Sequence, residues 1–202
     1  MPPHRDLARE VPDALSTHPN VTAVELIGSR ARGEATELSD WDFHVDTSDF
    51  DAVATDLTGR VAALDPIAGL WDPLSEHHVY AFILPGPVKV DLLFDEPHEL
   101  APPWSPSAAT LPDIDVHFWD WTLWLAGKVY AGKHELVAAE LEKMWRHLLA
   151  PIGVTSAPAS LHEAVDRYVT VRRKLEELYG TPVRRRLADE VMPVVERVSA
   201  AP

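Results

Sequence analysis

The segment GSRARGEATELSDWDF, residues 28–43, decides the predicted fold of the N-terminal half of the chain. Residues 21–27 just before it are mostly apolar and are predicted to form a buried strand, which the Gly28-Ser29 pair ends. Because a serine can cap a helix N-terminus, a short helical stretch is expected to follow. The segment therefore predicts a strand, a tight turn and a second strand.

The second strand carries two neighbouring carboxylates. Residues 40–46 read Asp-Trp-Asp-Phe-His-Val-Asp, which has the period of two that is typical of a strand. Residues two apart in a strand point to one face about 6–7 Å apart, so Asp40 and Asp42 are expected to project side by side. Such carboxylates repel each other unless a positive charge lies between them, and hard oxygen ligands suit Mg²⁺.

A third carboxylate lies in a later apolar strand. The stretch VKVDLLF, residues 88–94, places Asp91 among apolar residues, where a carboxylate costs free energy unless it is paired or metal-bound. If this strand neighbours the strand of Asp40 and Asp42, three carboxylates converge. That is the ligand set of a two-metal phosphoryl-transfer site.

The Gly28-Ser29 turn is predicted to bind an anion. A glycine at a strand end lets a phosphate approach the backbone, and the helix N-terminus that follows offers free N–H groups. Arg30 and Arg32 are candidates to neutralise a triphosphate. The turn is not a Walker loop, because Glu34 stands where that motif requires lysine.

In combination these motifs resemble the signature of the polymerase β-like nucleotidyltransferase superfamily. That signature is glycine-serine, ten residues, then Asp-x-Asp, with a third acid on a later strand. Here Ser29 is followed by ten residues and then by Asp40-Trp41-Asp42, and Asp91 is the later acid. The resemblance covers roughly residues 21–94 and is strongest to the bacterial small-molecule and minimal nucleotidyltransferases.

The resemblance implies a nucleoside triphosphate co-substrate, ATP or another NTP, bound with two Mg²⁺ ions. An acceptor hydroxyl would attack the α-phosphorus in line, and pyrophosphate would leave. Asp40 and Asp42 would ligate both ions. Asp91 would hold the ion nearest the acceptor and is a candidate to deprotonate it, while Ser29 and the adjacent amides would hold the β- and γ-phosphates.

The rest of the chain predicts an α+β protein, a mixed β-sheet flanked by helices and followed by a C-terminal helical bundle. The catalytic domain is expected over residues 1–96. Five prolines mark residues 97–112 as a linker, and residues 113–202 form the helical domain. The further elements are predicted from periodicity and turn residues: helices over 5–18, 50–64, 113–131, 134–150, 160–179 and 183–199, and a hairpin of strands over 79–84 and 88–94.

The helical half resembles the aminoglycoside and lincosamide nucleotidyltransferases in layout and offers no residue motif. Its aromatic run, residues 117–124, is interpreted mainly as core, with Trp121 and Trp124 three residues apart. Trp119 is the candidate for a cleft wall and Asp120 for contact with a cationic acceptor. Glu96 and Glu99, just past the Asp91 strand, are further acceptor-binding candidates.

Composition and charge limit the partners. The net charge is −14, and residues 1–112 hold 19 acidic and 6 basic residues. Such a surface repels a phosphate backbone, which disfavours a long nucleic acid and favours metal ions and cationic small molecules. No apolar run is long enough to span a membrane and no signal peptide is evident, so a cytoplasmic protein is expected.

These observations predict an enzyme that transfers a nucleoside monophosphate, AMP from ATP, to a hydroxyl of a small, cationic molecule. An aminoglycoside or lincosamide antibiotic is the leading acceptor class. The alternative is a toxin–antitoxin or signalling component that uses the same fold to modify or bind a protein. The size of the helical half favours the first of these.

Overall fold

The computed structural model describes residues 5–200. Residues 1–4 and 201–202, at the two ends of the predicted domains, lie outside the described residues. The chain divides into two compact units, Met1–Leu100 and Ala101–Pro202. In the part of the chain that the structure describes, no helix has the length and apolar character needed to cross a bilayer.

The N-terminal unit is built from one mixed sheet and the helices on its core face. Its elements are, in chain order, α1 (Leu7–Leu15), β1 (Val21–Leu26), the four-residue helix α2 (Gly28–Ala31), β2 (Trp41–Thr47), α3 (Phe50–Val61) with a 3-10 turn (Ala62–Leu64), β3 (Ala68–Trp71), β4 (His77–Leu84) and β5 (Val88–Pro97). The predicted α+β class is confirmed.

The sheet has the order β1-β2-β5-β4-β3. Strand β5 pairs with β2 in parallel and with β4 as the predicted antiparallel hairpin, and β1 pairs antiparallel with β2. The parallel register sets Asp42 directly opposite Asp91. This pairing meets the condition under which the sequence predicted three converging carboxylates.

One face of this sheet forms the core of the unit. Phe43 and Leu92 are fully buried and pack with Val11 of α1 and Leu57 of α3. Burying one such side chain contributes about 1.5–3 kcal/mol. Because alternate residues of a strand point to opposite faces, this packing fixes which face Asp42 and Asp91 occupy.

Strand β3 was not predicted from the sequence. It is only four residues long, contains Gly69 and forms the edge of the sheet beside β4. A strand of this length has no measurable alternation of apolar and polar residues, so periodicity gives no signal for it.

The C-terminal unit is helical. Its elements are α4 (Leu111–Tyr130), α5 (His134–Met144) continued by a π-helical turn (Trp145–Leu149), α6 (Leu161–Tyr179) and α7 (Arg186–Ser199). Helix α4 packs against α5, α6 and α7. The segment between β5 and α4 is irregular and shorter than the predicted linker, because β5 runs to Pro97 and α4 begins at Leu111.

A buried polar network joins α4 to α6. The Asp115 carboxylate accepts hydrogen bonds from Tyr168 Oη at 2.7 Å, Trp119 Nε1 at 3.2 Å and Arg172 Nη1 at 3.4 Å. Burial raises the pKa of Asp115, and the contacts with Tyr168 and Arg172 act in the opposite direction. The three donors stabilise a carboxylate that would otherwise be costly to bury.

We expect Tyr168→Phe to destabilise the protein by about 1–3 kcal/mol, because it removes one donor from this buried carboxylate and adds nothing in its place. Urea unfolding would measure the change. Tyr130→Phe, at a residue that is 49% exposed, is the matched control and should change the free energy of unfolding by less than about 0.5 kcal/mol. Equal effects of the two substitutions would contradict a stabilising role for the network.

Candidate functional site

Three carboxylates meet on the sheet face opposite the core. One oxygen from each of Asp40, Asp42 and Asp91 lies within 4.8 Å of the others. Asp42 and Asp91 face each other across β2 and β5, and Asp40 directly precedes β2. Asp40 is only 8% exposed. The spacing of the two strands therefore brings together side chains that are 49 residues apart in the chain.

Gly28 lies against this cluster. Its backbone has φ +67°, and a Cβ placed there would overlap Asp42 Oδ2 and lie 3.0 Å from Asp42 Cγ. The amide of Ile27 donates to the carbonyl of Asp42 at 2.8 Å, which holds the turn against β2. Only a residue without a side chain fits beside this carboxylate.

A lysine accompanies the carboxylates, and sequence reasoning missed it as a site residue. Lys89 is 7% exposed, and its Nζ lies 2.9 Å from Asp91 Oδ1. It stands two residues before Asp91 in β5, so the period of two that placed Asp91 on this face also places Lys89 there. That spacing was the available signal.

Arg30 holds the backbone at Asp40 through hydrogen bonds. Its guanidinium donates to the carbonyl of Ser39 at 2.6 Å and to that of Asp40 at 3.0 Å, and it stacks over the Trp41 ring at 4.3 Å. Burial lowers the pKa of Arg30, and the charges of Asp40 and Asp42 act in the opposite direction. Arg30 therefore positions this backbone segment, and its contact with a phosphate stays a prediction.

We expect Arg30→Lys to lower the free energy of unfolding by about 1–2 kcal/mol, because an ammonium cannot reproduce the two-pronged contact with the carbonyls and the stacking on Trp41. The affinity for Mn²⁺ should fall several-fold, since Asp40 loses its support. Urea unfolding and calorimetry with Mn²⁺ measure the two effects. Arg32→Lys is the matched control, and similar losses in both variants would contradict the role given to Arg30.

The other residues predicted in the turn lie nearer the surface. Ser29 is in the first turn of α2 and is half-buried. Arg32 forms a surface ion pair with Glu34, Nε to Oε2, at 2.7 Å. His44, the next residue on the Asp42 face, is hydrogen-bonded to Asp95 at 2.8 Å, and this contact raises the pKa of His44.

The structure does not bring the acceptor-binding candidates of the N-terminal unit to the carboxylate cluster. Glu96 is five residues beyond Asp91 in β5, about 17 Å along an extended strand. Its carboxylate accepts a hydrogen bond from Thr47 Oγ1 at 3.2 Å. Glu99 is exposed and lies beyond the end of β5.

The cleft-wall hypothesis for Trp119 is wrong. Trp119 is fully buried in the helical unit and donates to Asp115, and Asp120 is 8% exposed. Trp124, which was expected in the core, is half-exposed with Lys128 Nζ 4.7 Å from its ring centroid. Helix α4 is buried on most of its surface, so the spacing of its tryptophans does not reveal which one is accessible.

The donor set of the cluster fits a hard divalent cation. Three carboxylates supply oxygen ligands, and waters or substrate oxygens would supply the remaining ligands of an octahedral shell around Mg²⁺. Lys89 neutralises one of the three negative charges, and the cluster retains a net negative charge for a cation. Asp40, Asp42 and Asp91 would hold the metal.

Comparison with known proteins agrees with the motifs. The nucleotidyltransferase domain model matches residues 8–79, which run from α1 into β4. A solved aminoglycoside 6-adenyltransferase from Bacillus subtilis is similar with 10% identity and a TM-score of 0.40, over 95% of this chain and 97% of that one. A likeness this weak carries no argument about activity. A search of curated proteins finds no match to the sequence.

The matched residues contain the Gly28-Ser29 turn and the Asp40–Asp42 strand, and the mixed sheet places Asp91 beside them. Family match, motif spacing and geometry therefore agree. Over residues 8–79, most of its length, the N-terminal unit is similar to the nucleotidyltransferase domain family.

Proposed function

We propose that the protein transfers AMP from ATP, with two Mg²⁺ ions, to a hydroxyl of a small cationic molecule. The observation that carries the proposal is the cluster of Asp40, Asp42 and Asp91, whose oxygens lie within 4.8 Å of one another beside the bare backbone of Gly28. Aminoglycosides and lincosamides are the leading acceptor classes in this proposal.

The three carboxylates have different parts in this proposal. Asp40 and Asp42 would hold both ions, and Asp91 would hold the ion that activates the acceptor. Asp91 is also the carboxylate proposed to accept the proton of the attacking hydroxyl. When bound, the ions would neutralise the charge of the triphosphate and activate the acceptor oxygen.

The turn before the cluster is proposed to hold the triphosphate. Gly28 leaves its backbone open beside Asp42, and Ser29 offers a hydroxyl and an amide to the β- and γ-phosphates. Arg32 pairs with Glu34 on the surface, and an exposed pair of this kind is weak enough for a phosphate to displace the carboxylate. Arg30 acts through Asp40 instead.

The charge of the chain supports a cationic acceptor. Residues 1–112 carry 19 acidic against 6 basic residues, and such a field attracts an ammonium-bearing molecule. The same field opposes a long nucleic acid, which would bring many phosphates close to this surface. Transfer to a single small acceptor is therefore favoured over polymerisation.

Pyrophosphate release tests the proposal. The protein is incubated with Mg²⁺ and each of ATP, GTP, CTP and UTP, together with aminoglycosides, lincosamides or purified proteins as acceptors. Acceptor-dependent release with a cationic small molecule is the expected result, and mass spectrometry should find an added nucleoside monophosphate on that molecule.

Two other outcomes decide against parts of the proposal. Release that depends only on a protein acceptor would replace the small-molecule acceptor with a protein target. Absence of release with every acceptor, together with absence of nucleotide binding by calorimetry, would overturn nucleotidyl transfer itself.

A further inference from the structure

Lys89 is a buried cation inside the proposed metal site. Its Nζ lies 2.9 Å from Asp91 Oδ1, and the side chain is 7% exposed. On the other side of β5, it pairs in register with Ile83 of β4, an apolar neighbour. A lysine in such surroundings is costly unless a carboxylate compensates its charge.

The sheet register places this lysine among the three carboxylates. Asp42 stands opposite Asp91, and Asp40 and Lys89 each stand one residue before the Trp41–Val90 pair. Asp42, Asp91 and Lys89 therefore share one face of β2 and β5, and Asp40 joins them from just before β2. Three carboxylates this close repel one another, and a lysine that pairs with one of them reduces that repulsion when a divalent cation is absent.

We propose that Lys89 is an internal counter-cation, a positioning residue that holds Asp91 and competes with a divalent ion for it. The inference rests on the proposed function, because it concerns the metal ligands of that reaction. An ion that binds next to Asp91 has to share this carboxylate with the ammonium or displace it. Lys89 therefore stabilises the metal-free fold and weakens metal binding in the absence of nucleotide.

Lys89→Gln tests the inference through metal binding without turnover. Removing a unit charge a few ångströms from the ion should tighten Mn²⁺ binding by roughly ten- to a hundredfold, since charges at this distance interact strongly even at a protein surface. Calorimetry or electron paramagnetic resonance measures Mn²⁺ affinity without nucleotide. The melting temperature of Lys89→Gln in EDTA should fall below that of the wild type. Mn²⁺ should raise the melting temperature of Lys89→Gln by more than it raises that of the wild type.

Two control variants separate the site from general electrostatics. Lys89→Arg keeps the charge beside Asp91 and should change Mn²⁺ affinity less than threefold. Lys133→Gln removes the same charge from an exposed position in the helical unit and should leave both Mn²⁺ affinity and stability unchanged. The expected pattern is a large effect in Lys89→Gln alone.

The outcomes distinguish this inference from the proposed function. Wild-type protein that binds Mn²⁺, with Lys89→Gln binding it no more tightly, overturns the counter-cation and leaves the metal site intact. Binding in Lys89→Gln but not in the wild type supports the counter-cation. Absence of Mn²⁺ binding in both proteins without nucleotide overturns the counter-cation, and the metal-dependent reaction is then decided separately by pyrophosphate release.

A measurement on the wild type covers the case in which Lys89→Gln does not fold. The ¹H–¹⁵N signal of the Lys89 ammonium is identified by its loss in Lys89→Arg. This signal should shift when Mg²⁺ is added, because Asp91 would bind the ion and its contact with Lys89 would weaken. A signal that does not move at saturating Mg²⁺ overturns the inference.

Discussion

Asp42→Asn should reduce acceptor-dependent pyrophosphate release by about a thousandfold or more. In the proposed reaction Asp42 is a ligand of both ions, and an amide replaces its charged oxygen with a weaker, neutral ligand. Metal ions contribute several kcal/mol to transition-state stabilisation, and each 1.36 kcal/mol corresponds to about tenfold in rate. Steady-state kinetics with the acceptor identified by the panel measures the loss.

The stability of Asp42→Asn should not fall with its activity. One of three clustered carboxylates loses its charge, so the melting temperature in EDTA is expected to equal or exceed that of the wild type. A loss of activity without a loss of stability would separate a catalytic role from a structural one.

Asp46→Asn is the matched control for Asp42→Asn. Asp46 is on the same strand and the same face, four residues further along, and its carboxylate lies 3.6 Å from His44. It is outside the Asp40–Asp42–Asp91 cluster and its variant should keep activity within a few-fold of the wild type. Asp42→Asn activity above about a tenth of the wild-type level would contradict the assigned role.

The sequence predicted the strands of the site because their alternation is strong. In β2, Phe43 and Val45 are buried and Asp42 is on the other face, and the same alternation in β5 places Asp91. The neighbour relation between these strands could not be predicted, because α3, β3 and β4 intervene and sheet order depends on tertiary packing. The resemblance to a known family supplied that step.

The roles of the basic residues could not be predicted for a different reason. Arg30 and Arg32 are two residues apart in one short motif, yet Arg30 binds the carbonyls of Ser39 and Asp40 while Arg32 pairs with Glu34. Which partner each guanidinium meets depends on how the turn folds over β2. Lys89 is the contrasting case, since its spacing from Asp91 alone places it on the site face.

Gly28→Ala should be the most damaging substitution that removes no functional group. At φ +67° a side chain is strained, and the new Cβ would overlap the Asp42 carboxylate. The turn or the carboxylate has to move, and a displacement of about 1 Å at a reacting centre costs roughly a hundredfold in rate. We expect at least that loss of activity, together with weaker Mn²⁺ binding.

Gly33→Ala is a close control, because it separates backbone strain from the overlap with Asp42. Gly33 follows in the same turn with φ +70°, but no atom lies within 4 Å of the position that its Cβ would take. Both variants should lose about 1 kcal/mol or more of stability from the positive φ, and only Gly28→Ala should disturb Asp42, a proposed metal ligand. The ratio of their activities therefore measures the loss of activity that comes from the overlap of the new Cβ with Asp42 and not from backbone strain. Equal activities in the two variants would show that Gly28 serves the turn alone, and the open approach to the triphosphate would have to be sought elsewhere.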